Sequence, residues 1–347
     1  KNIVNGKYTD YLGLVENAIE NGMDVTFDCY TYPYSGTSLT IILPNWSKDG
    51  GPEKLMQHLQ STNSRNKIAK EIDINWKDAN SLPEVNFNQQ KELLDVFKDH
   101  KATIIDNNSN SSENIRFVDS IKNGIDEAME EHDNLVIMGQ DIAEYGGVFK
   151  ITEGLMDKYG KNRVFNTPLC ESSILSASYG MSIGGFKTIV EMQFSDFISC
   201  GFNQLINNLA KAHYRLGLGI NVTIRMPTGG GVNAGPFHSQ NLESLFVHIP
   251  GLKILYPSSA YDAKGLLVSA INEPNPVLFF EHKLLYRTEK GNVPKGIYNL
   301  EIGKGNIIKE GKDITIISYG LGVTWIKNII NELEKKKISI ELIDLCS

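Results

Sequence analysis

Several features that would narrow the function of this chain at once are missing. There are only four cysteines, at positions 29, 170, 200 and 346, and no two stand at Cys-x-x-Cys spacing. That argues against a disulfide-stapled scaffold and a cysteine zinc site, and makes free thiols in a reducing, cytoplasmic setting the expectation. No apolar run approaches the roughly 20 residues of a membrane span, and no stretch of the sequence reads as a signal peptide. No long basic block occurs. With 34 Lys and Arg against 41 Asp and Glu, the net charge is -7, which argues against nucleic acid as the main partner. The Lys335–Lys337 run reads as a solvated helix end. Gly229–Gly231 is not followed by Gly-Lys-Ser/Thr, so the phosphate-binding loop is absent too. That glycine run reads better as a mobile loop that delivers His238.

What is there is an ordinary globular composition, 41% apolar and 22% charged over 347 residues, enough for two or three domains. Apolar spacing predicts a helix over 8–21, a strand over 24–30 and a helix over 53–72. Residues 73–114 turn polar and aperiodic. Within them a short helix is expected at 91–97 and a linker by composition at 106–112. From 115 the pattern changes. A helix over 117–129 is followed by strands at 135–138, 187–192, 222–226, 253–256 and 276–281. Between them lie helices at 150–159, 171–184, 198–216, 241–248 and 260–272. Continuous apolar strands alternating with helices predict an α/β fold, a doubly wound and mainly parallel sheet covered on both faces. After 298 comes one truncated βαβ unit: strand 313–319, helix 322–335, strand 338–345. The domain boundaries expected are therefore 1–72, 73–114, 115–297 and 298–347.

Three motifs interrupt the apolar segments where such a sheet delivers functional side chains. They are Asn166-Thr-Pro-Leu-Cys-Glu171, Glu191-Met-Gln-Phe-Ser-Asp-Phe197 and Gly235-Pro-Phe-His-Ser-Gln240. By position alone, Glu171 reads as an acidic residue in a first helical turn, His238 as a loop histidine and Phe197 equally well as core. Taken together, and with Asn134 to Phe149, Pro250 to Lys253, Asp262 to Gly265 and Phe279-Phe-Glu-His-Lys-Leu-Leu-Tyr-Arg287, they closely resemble a known family. It is that of the beta subunits of thiamine-diphosphate-dependent 2-oxo acid dehydrogenases, or the beta half of a fused alpha/beta chain. The likeness runs from about residue 115 to the end.

The resemblance implies a transketolase-like pyrimidine-binding domain at 115–297 and part of the transketolase C-terminal domain after it. It implies that Glu171 hydrogen-bonds the aminopyrimidine of thiamine diphosphate, that Phe197 stacks on that ring, and that Gln193 lies nearby. His238 would sit by the substrate carboxylate and the incoming lipoyl group. Val222, Ala270, Glu273 and Asn275 match positions that build a potassium site, largely through main-chain carbonyls. The family's Gly-Asp-Gly…Asn-Asn motif for diphosphate and magnesium is absent from this sequence. The resemblance therefore implies an alpha subunit that holds magnesium and completes the site, an alpha-beta heterotetramer, and a lipoyl acyltransferase core. Asn166–Glu171 and the Phe279–Arg287 block look most like the branched-chain enzymes, with the pyruvate enzyme as the alternative substrate class. A non-catalytic chimeric remnant stays open as well, because Cys346 replaces the Arg-Thr expected after the last strand.

The N-terminal residues resemble another family. Asp24-Val-Thr-Phe-Asp28, Tyr32-Pro-Tyr34, Ser38-Leu39, Leu43-Pro44, Trp46 and Gly50-Gly51 are similar to N-acyl-D-amino-acid deacylases of the amidohydrolase superfamily. Such barrels close only with all their strands. His58 stands alone, with no second ligand at metal spacing, so 1–72 is expected to be an orphan barrel fragment, and N-acyl-D-amino-acid hydrolysis is the less favoured alternative function.

Overall fold

A computed structural model describes residues 45–48, 51–79, 94–105 and 111–347. The chain divides into two compact units, 1–87 and 88–347. In the first, helices Asn45–Lys48, Gly51–Gln60 and Thr62–Ala79 gather around Trp46. The Trp46 Nε1 donates to both oxygens of Glu71 at 3.2 Å. His58 meets its ring edge-on at 5.3 Å, and Lys67 Nζ lies 4.3 Å from its centroid. The expected helix 8–21 and strand 24–30 lie outside the described residues.

The second unit is built on a six-stranded sheet in the order β3-β2-β4-β5-β7-β6. The strands are β2 (Leu135–Gly139), β3 (Val164–Asn166), β4 (Lys187–Glu191), β5 (Val222–Thr228), β6 (Lys253–Leu255) and β7 (Val277–His282). Every pairing is parallel. Alternation along each strand feeds two cores. Leu135, Ile137, Ile189, Val277 and Phe279 join one, under helices Phe117–Glu131 and Ala260–Asn272. Met138, Val190, Val222, Ile224, Met226, Leu278 and Phe280 join the other, under helix Glu171–Ile183 and the segment 195–216. This is the doubly wound arrangement the sequence predicts. Most of these side chains are fully buried, so truncating one to Ala would cost about 2–5 kcal/mol.

Charge is buried between the strands too. Arg225 on β5 donates Nε and Nη2 to Glu281 at 2.7 and 2.8 Å, and Nη1 to Glu191 on β4 at 2.7 Å. Tyr286 Oη donates to Glu281 at 2.6 Å. Burial raises the Glu191 carboxyl against the pull of Arg225. The Arg225 guanidinium is penalised by the same burial, yet its two carboxylates hold it firmly protonated.

Two smaller sheets flank the main one. β1 (Ser112–Arg116) pairs antiparallel with β8 (Lys290–Pro294). β10 (Ile314–Ser318) and β11 (Ile340–Asp344) run parallel around helix Leu321–Lys335, and β9 (Asn306–Lys309) adds antiparallel to β11.

Some predicted helices differ from those observed. The helix over 150–159 is only Leu155–Tyr159, because Gly154 enters it in the left-handed region at φ +83°. The helix over 198–216 breaks into a tight turn at Ser195–Gly201, a π-helix at Gln204–Leu209 and a short helix at Ala212–Leu216. A side chain at Gly201 would lie 2.6 Å from Leu175, so the turn tightens where it meets helix 171–183. The segment 241–248 is a single turn at Glu243–Leu245, because Leu245 and Val247 face solvent rather than core. The helix over 53–72 is two helices that join at Ser61.

Candidate active site

All six main strands run the same way, so the loops after their C-terminal ends collect on one edge, where open α/β sheets bind ligands. β2 delivers Gln140 and Asp141, β3 leads to Glu171, β4 to Gln193 through Phe197, β5 to the loop 229–240, and β7 to His282 and Lys283. Asn166 at the end of β3 fixes the first of these loops. Its Oδ1 accepts from Ala143 N at 2.9 Å and its Nδ2 donates to Glu144 at 2.8 Å.

Glu171 opens helix 171–183 and is half-buried. Gln140 Nε2 donates to Glu171 Oε1 at 3.0 Å. Gln140 is itself buried, and its Oε1 finds no partner. Gln193 Nε2 donates to Asp141 Oδ2 at 3.0 Å and lies 3.5 Å from the Gln140 carbonyl oxygen. Gln140 thus ties its side chain to the Glu171 carboxylate, with one amide oxygen to spare, while Gln193 is held to the Asp141 carboxylate and the Gln140 main chain.

His238 lies in a box of rings. Phe194 meets it edge-to-face at 4.7 Å and Phe197 at 5.4 Å. The two phenylalanines meet each other at 5.9 Å. The turn that carries Phe197 also approaches Glu171: a Cβ on Gly201 would sit 3.4 Å from the Glu171 carbonyl oxygen.

Behind Phe194 stands Lys283, 3% exposed, its Nζ without a hydrogen-bond partner among the described residues and 5.2 Å from the ring centroid. Burial lowers its ammonium to about 8, with Asp196 pulling the other way. Its neighbour His282 is lowered to about 4 by burial and by Lys283, so it stays neutral. His282 packs under Gly229, where a Cβ would be 2.1 Å from its Nε2 at φ +81°. Only glycine fits there.

The structure therefore gathers Glu171, Gln193, Phe197 and His238 on one edge. Val222, Ala270, Glu273 and Asn275 lie at the opposite end of the sheet. There the Asn221 Nδ2 donates to the carbonyls of Ile271 and Glu273 at 2.9 and 2.8 Å. Lys253 pairs with Glu273 at 2.9 Å. The Asn275 amide clasps the Lys98 backbone, accepting at 2.7 Å and donating at 2.9 Å. Among the described residues, Asp262, Asp344 and Cys346 form a buried cluster elsewhere, whose acceptors are engaged by Ser258, Ser259 and Asn306.

Reading the sequence missed Gln140, Phe194, Asp196 and Lys283. Each lies within a quoted motif, directly or a few residues after a strand end, and strand-end position was the usable signal.

The comparisons with known proteins bear on the family and the fold. Residues 113–289 match the family model "Transketolase, pyrimidine binding domain" and 303–347 match "Transketolase, C-terminal domain". The chain is 45% identical to a 2-oxoisovalerate dehydrogenase subunit beta of Bacillus subtilis (strain 168), over 66% of this chain and 71% of the relative. It is 43% identical to a pyruvate dehydrogenase E1 component subunit beta of Acholeplasma laidlawii, over 67% and 71%. A solved structure described as a split gene transketolase, an inactive beta4 tetramer, superposes with a TM-score of 0.53 at 20% identity, covering 67% of this chain and 71% of that one. The last likeness speaks for the fold. The pyrimidine-binding-domain match over half of the chain and the 43–45% identity over two thirds of it make this chain a member of the family of beta subunits of thiamine-diphosphate-dependent 2-oxo acid dehydrogenases.

Proposed function

We propose that this chain supplies the pyrimidine-activating half of a thiamine diphosphate site for oxidative decarboxylation of a 2-oxo acid, followed by acyl transfer to a lipoyl group. The observation that carries the reading is the Gln140–Glu171 hydrogen bond beside the ring box of Phe194, Phe197 and His238. The residues present fit the aminopyrimidine end of the cofactor. Glu171 offers a half-buried carboxylate, Gln140 an unpartnered buried amide oxygen, and Phe197 an aromatic face. They do not provide for the diphosphate and magnesium, because the Gly-Asp-Gly motif is absent. An alpha subunit is proposed to bring both, across an interface.

When bound, the cofactor supplies the carbanion chemistry. Glu171 would hold a proton in a hydrogen bond to a pyrimidine ring nitrogen, and Gln140, bonded to its Oε1, would fix the carboxylate that does so. Phe197 offers a stacking face and excludes water. His238, held between two rings, would be placed to give a proton to the lipoyl sulfur released as its disulfide opens and the other sulfur takes the acyl group. A lipoyl acyltransferase core as the downstream partner, and potassium at Val222, Ala270, Glu273 and Asn275, belong to the same proposal. The support for the ion is that these residues gather around the carbonyls approached by Asn221.

Branched-chain 2-oxo acids are the proposed substrates. The support is the Phe279–Arg287 block, in which Glu281 and Tyr286 complete the buried Arg225 cluster. Identities of 45% and 43% leave the pyruvate enzyme close behind, and turnover of branched 2-oxo acids against pyruvate by the reconstituted complex decides. Failure to associate with an alpha subunit would instead favour a non-catalytic remnant.

The role of Glu171 is tested by Glu171→Gln in the complex with alpha. Fold and cofactor binding should persist, while turnover and deuterium exchange at the thiazolium carbon should fall by about 10²–10⁴-fold. Unchanged exchange would remove the catalytic assignment.

A further inference from the structure

Hydrogen bonds converge on the two residues that follow His238. Ser239 N donates to Asp196 Oδ1 at 3.2 Å, and Gln240 N to the same oxygen at 3.1 Å. The Gln240 carbonyl accepts from Gly229 N and from Thr228 Oγ1, each at 3.0 Å. Ser195 Oγ donates to Thr228 Oγ1 at 2.9 Å. Residues 229 and 240 are thereby tied together at the base of the loop, whose tip is exposed, with Phe237 75% exposed. His238 lies between this tied base and the open tip.

Asp196 is a costly choice for such a tie. It is 6% exposed, and its Oδ2 has no hydrogen-bond partner. A buried carboxylate is tolerated where charge-assisted bonds to main-chain N–H groups or a nearby cation compensate it. Both are present here, since Lys283 is buried nearby and its ammonium feels the Asp196 charge. The same short turn carries Phe194 and Phe197, which flank the imidazole. One segment therefore sets both the main chain after His238 and the walls on either side of its ring.

We propose that Asp196 is a positioning residue: by clasping the Ser239 and Gln240 amides it holds the His238 imidazole between Phe194 and Phe197, where it can serve the bound substrate. The proposal rests on the reading of His238 given above, and adds that a residue outside the reacting groups sets its geometry. Asp196→Asn keeps an oxygen able to accept both N–H groups, whereas Asp196→Ala removes the acceptor.

Two measurements test this. The first uses the full chain with isotope-labelled histidine and needs no activity. The His238 ring protons carry ring-current shifts from Phe194 and Phe197. In Asp196→Ala these shifts should collapse toward solvent values, and the Ser239 and Gln240 amides should exchange at least about ten-fold faster. Asp196→Asn should retain both signatures. The second uses the complex reconstituted with alpha. Asp196→Ala should lower kcat by about 10–100-fold with a much smaller change in KM for the 2-oxo acid, and should cost nothing further in a His238→Ala background. Asp196→Asn should recover most of the loss.

Unchanged ring shifts and amide exchange in Asp196→Ala would overturn the proposal. So would losses that multiply independently with His238→Ala. If the wild-type complex shows no thiamine-dependent turnover, the functional reading fails by itself, and the spectroscopic arm still decides whether Asp196 positions His238.

Discussion

Replacing Arg225 by Leu tests what holds the site end of the sheet together. Arg225 is fully buried and makes three charge-assisted bonds, two to Glu281 and one to Glu191. Leucine would leave two carboxylates in the interior, with Tyr286 as the one remaining donor to Glu281. Breaking a buried ion pair by removing one partner costs about 3–5 kcal/mol, whereas the intact pair contributes little net stability over apolar replacements. The urea midpoint, followed by far-UV circular dichroism, should therefore fall by about 1–2 M. The loss should also depend on pH. Burial already raises the Glu191 carboxyl, and Arg225 opposes that rise. Without Arg225, the folded chain keeps a proton at pH values where the unfolded chain has lost it. Stability then declines as pH climbs through the raised folded value, so the gap to wild type should be wide at pH 7 and narrower at pH 5. A deficit below about 1 kcal/mol, or a gap that does not change with pH, would refute the reasoning.

Two further perturbations follow from the same edge. Gln140→Leu should leave the fold intact, because Gln140 makes one side-chain bond and carries one unpartnered oxygen. It should still lower turnover in the alpha complex by about ten-fold or more, through loss of the bond that orients Glu171, and normal kinetics would show that Glu171 needs no such support. Lys283→Met removes a buried ammonium that burial has lowered to about 8. Its penalty is present while the folded chain is charged and fades as pH rises through that value, so the variant should unfold at a higher midpoint at pH 7 and lose the advantage near pH 10. A lower midpoint at pH 7 would mean that its attraction to Asp196 outweighs the cost of its burial.

The main sheet was legible because its strands are continuous apolar runs. Leu135–Met138 and Val277–Phe280 are buried on both faces, and no polar alternation blurs them. β3 has only three residues, and the β1–β8 ribbon is largely exposed, with sequences rich in Ser, Asn, Lys and Gly. Neither leaves a periodic trace. The helix breaks arise from backbone facts: the left-handed φ of Gly154 and the close approach at Gly201. Glu171, Gln193, Phe197 and His238 were legible through motif likeness. Gln140, Asp196 and Lys283 were not, because their meaning comes from what they face across the sheet edge. An aspartate in Gln-Phe-Ser-Asp-Phe reads as a surface acid until its carboxylate is seen holding the chain beyond His238.

The strand order has a kinetic consequence. The site is assembled from segments scattered between Gln140 and Lys283, and its supporting pairs are far apart in the chain: 34 residues separate Glu191 from Arg225, and 56 separate Arg225 from Glu281. Parallel neighbours need long crossovers, so little of this can form locally, and folding governed by such distant contacts is slow. β5 lies between β4 and β7, so it cannot be flanked on both sides until the chain has been made past His282. On a ribosome, the apolar runs of β2, β4 and β5 emerge before the strand that completes their pairing, and they would need shielding from one another in that interval. In refolding, His238 should gain its aromatic surroundings only as the whole sheet closes, with no early species that is competent at one half of the edge.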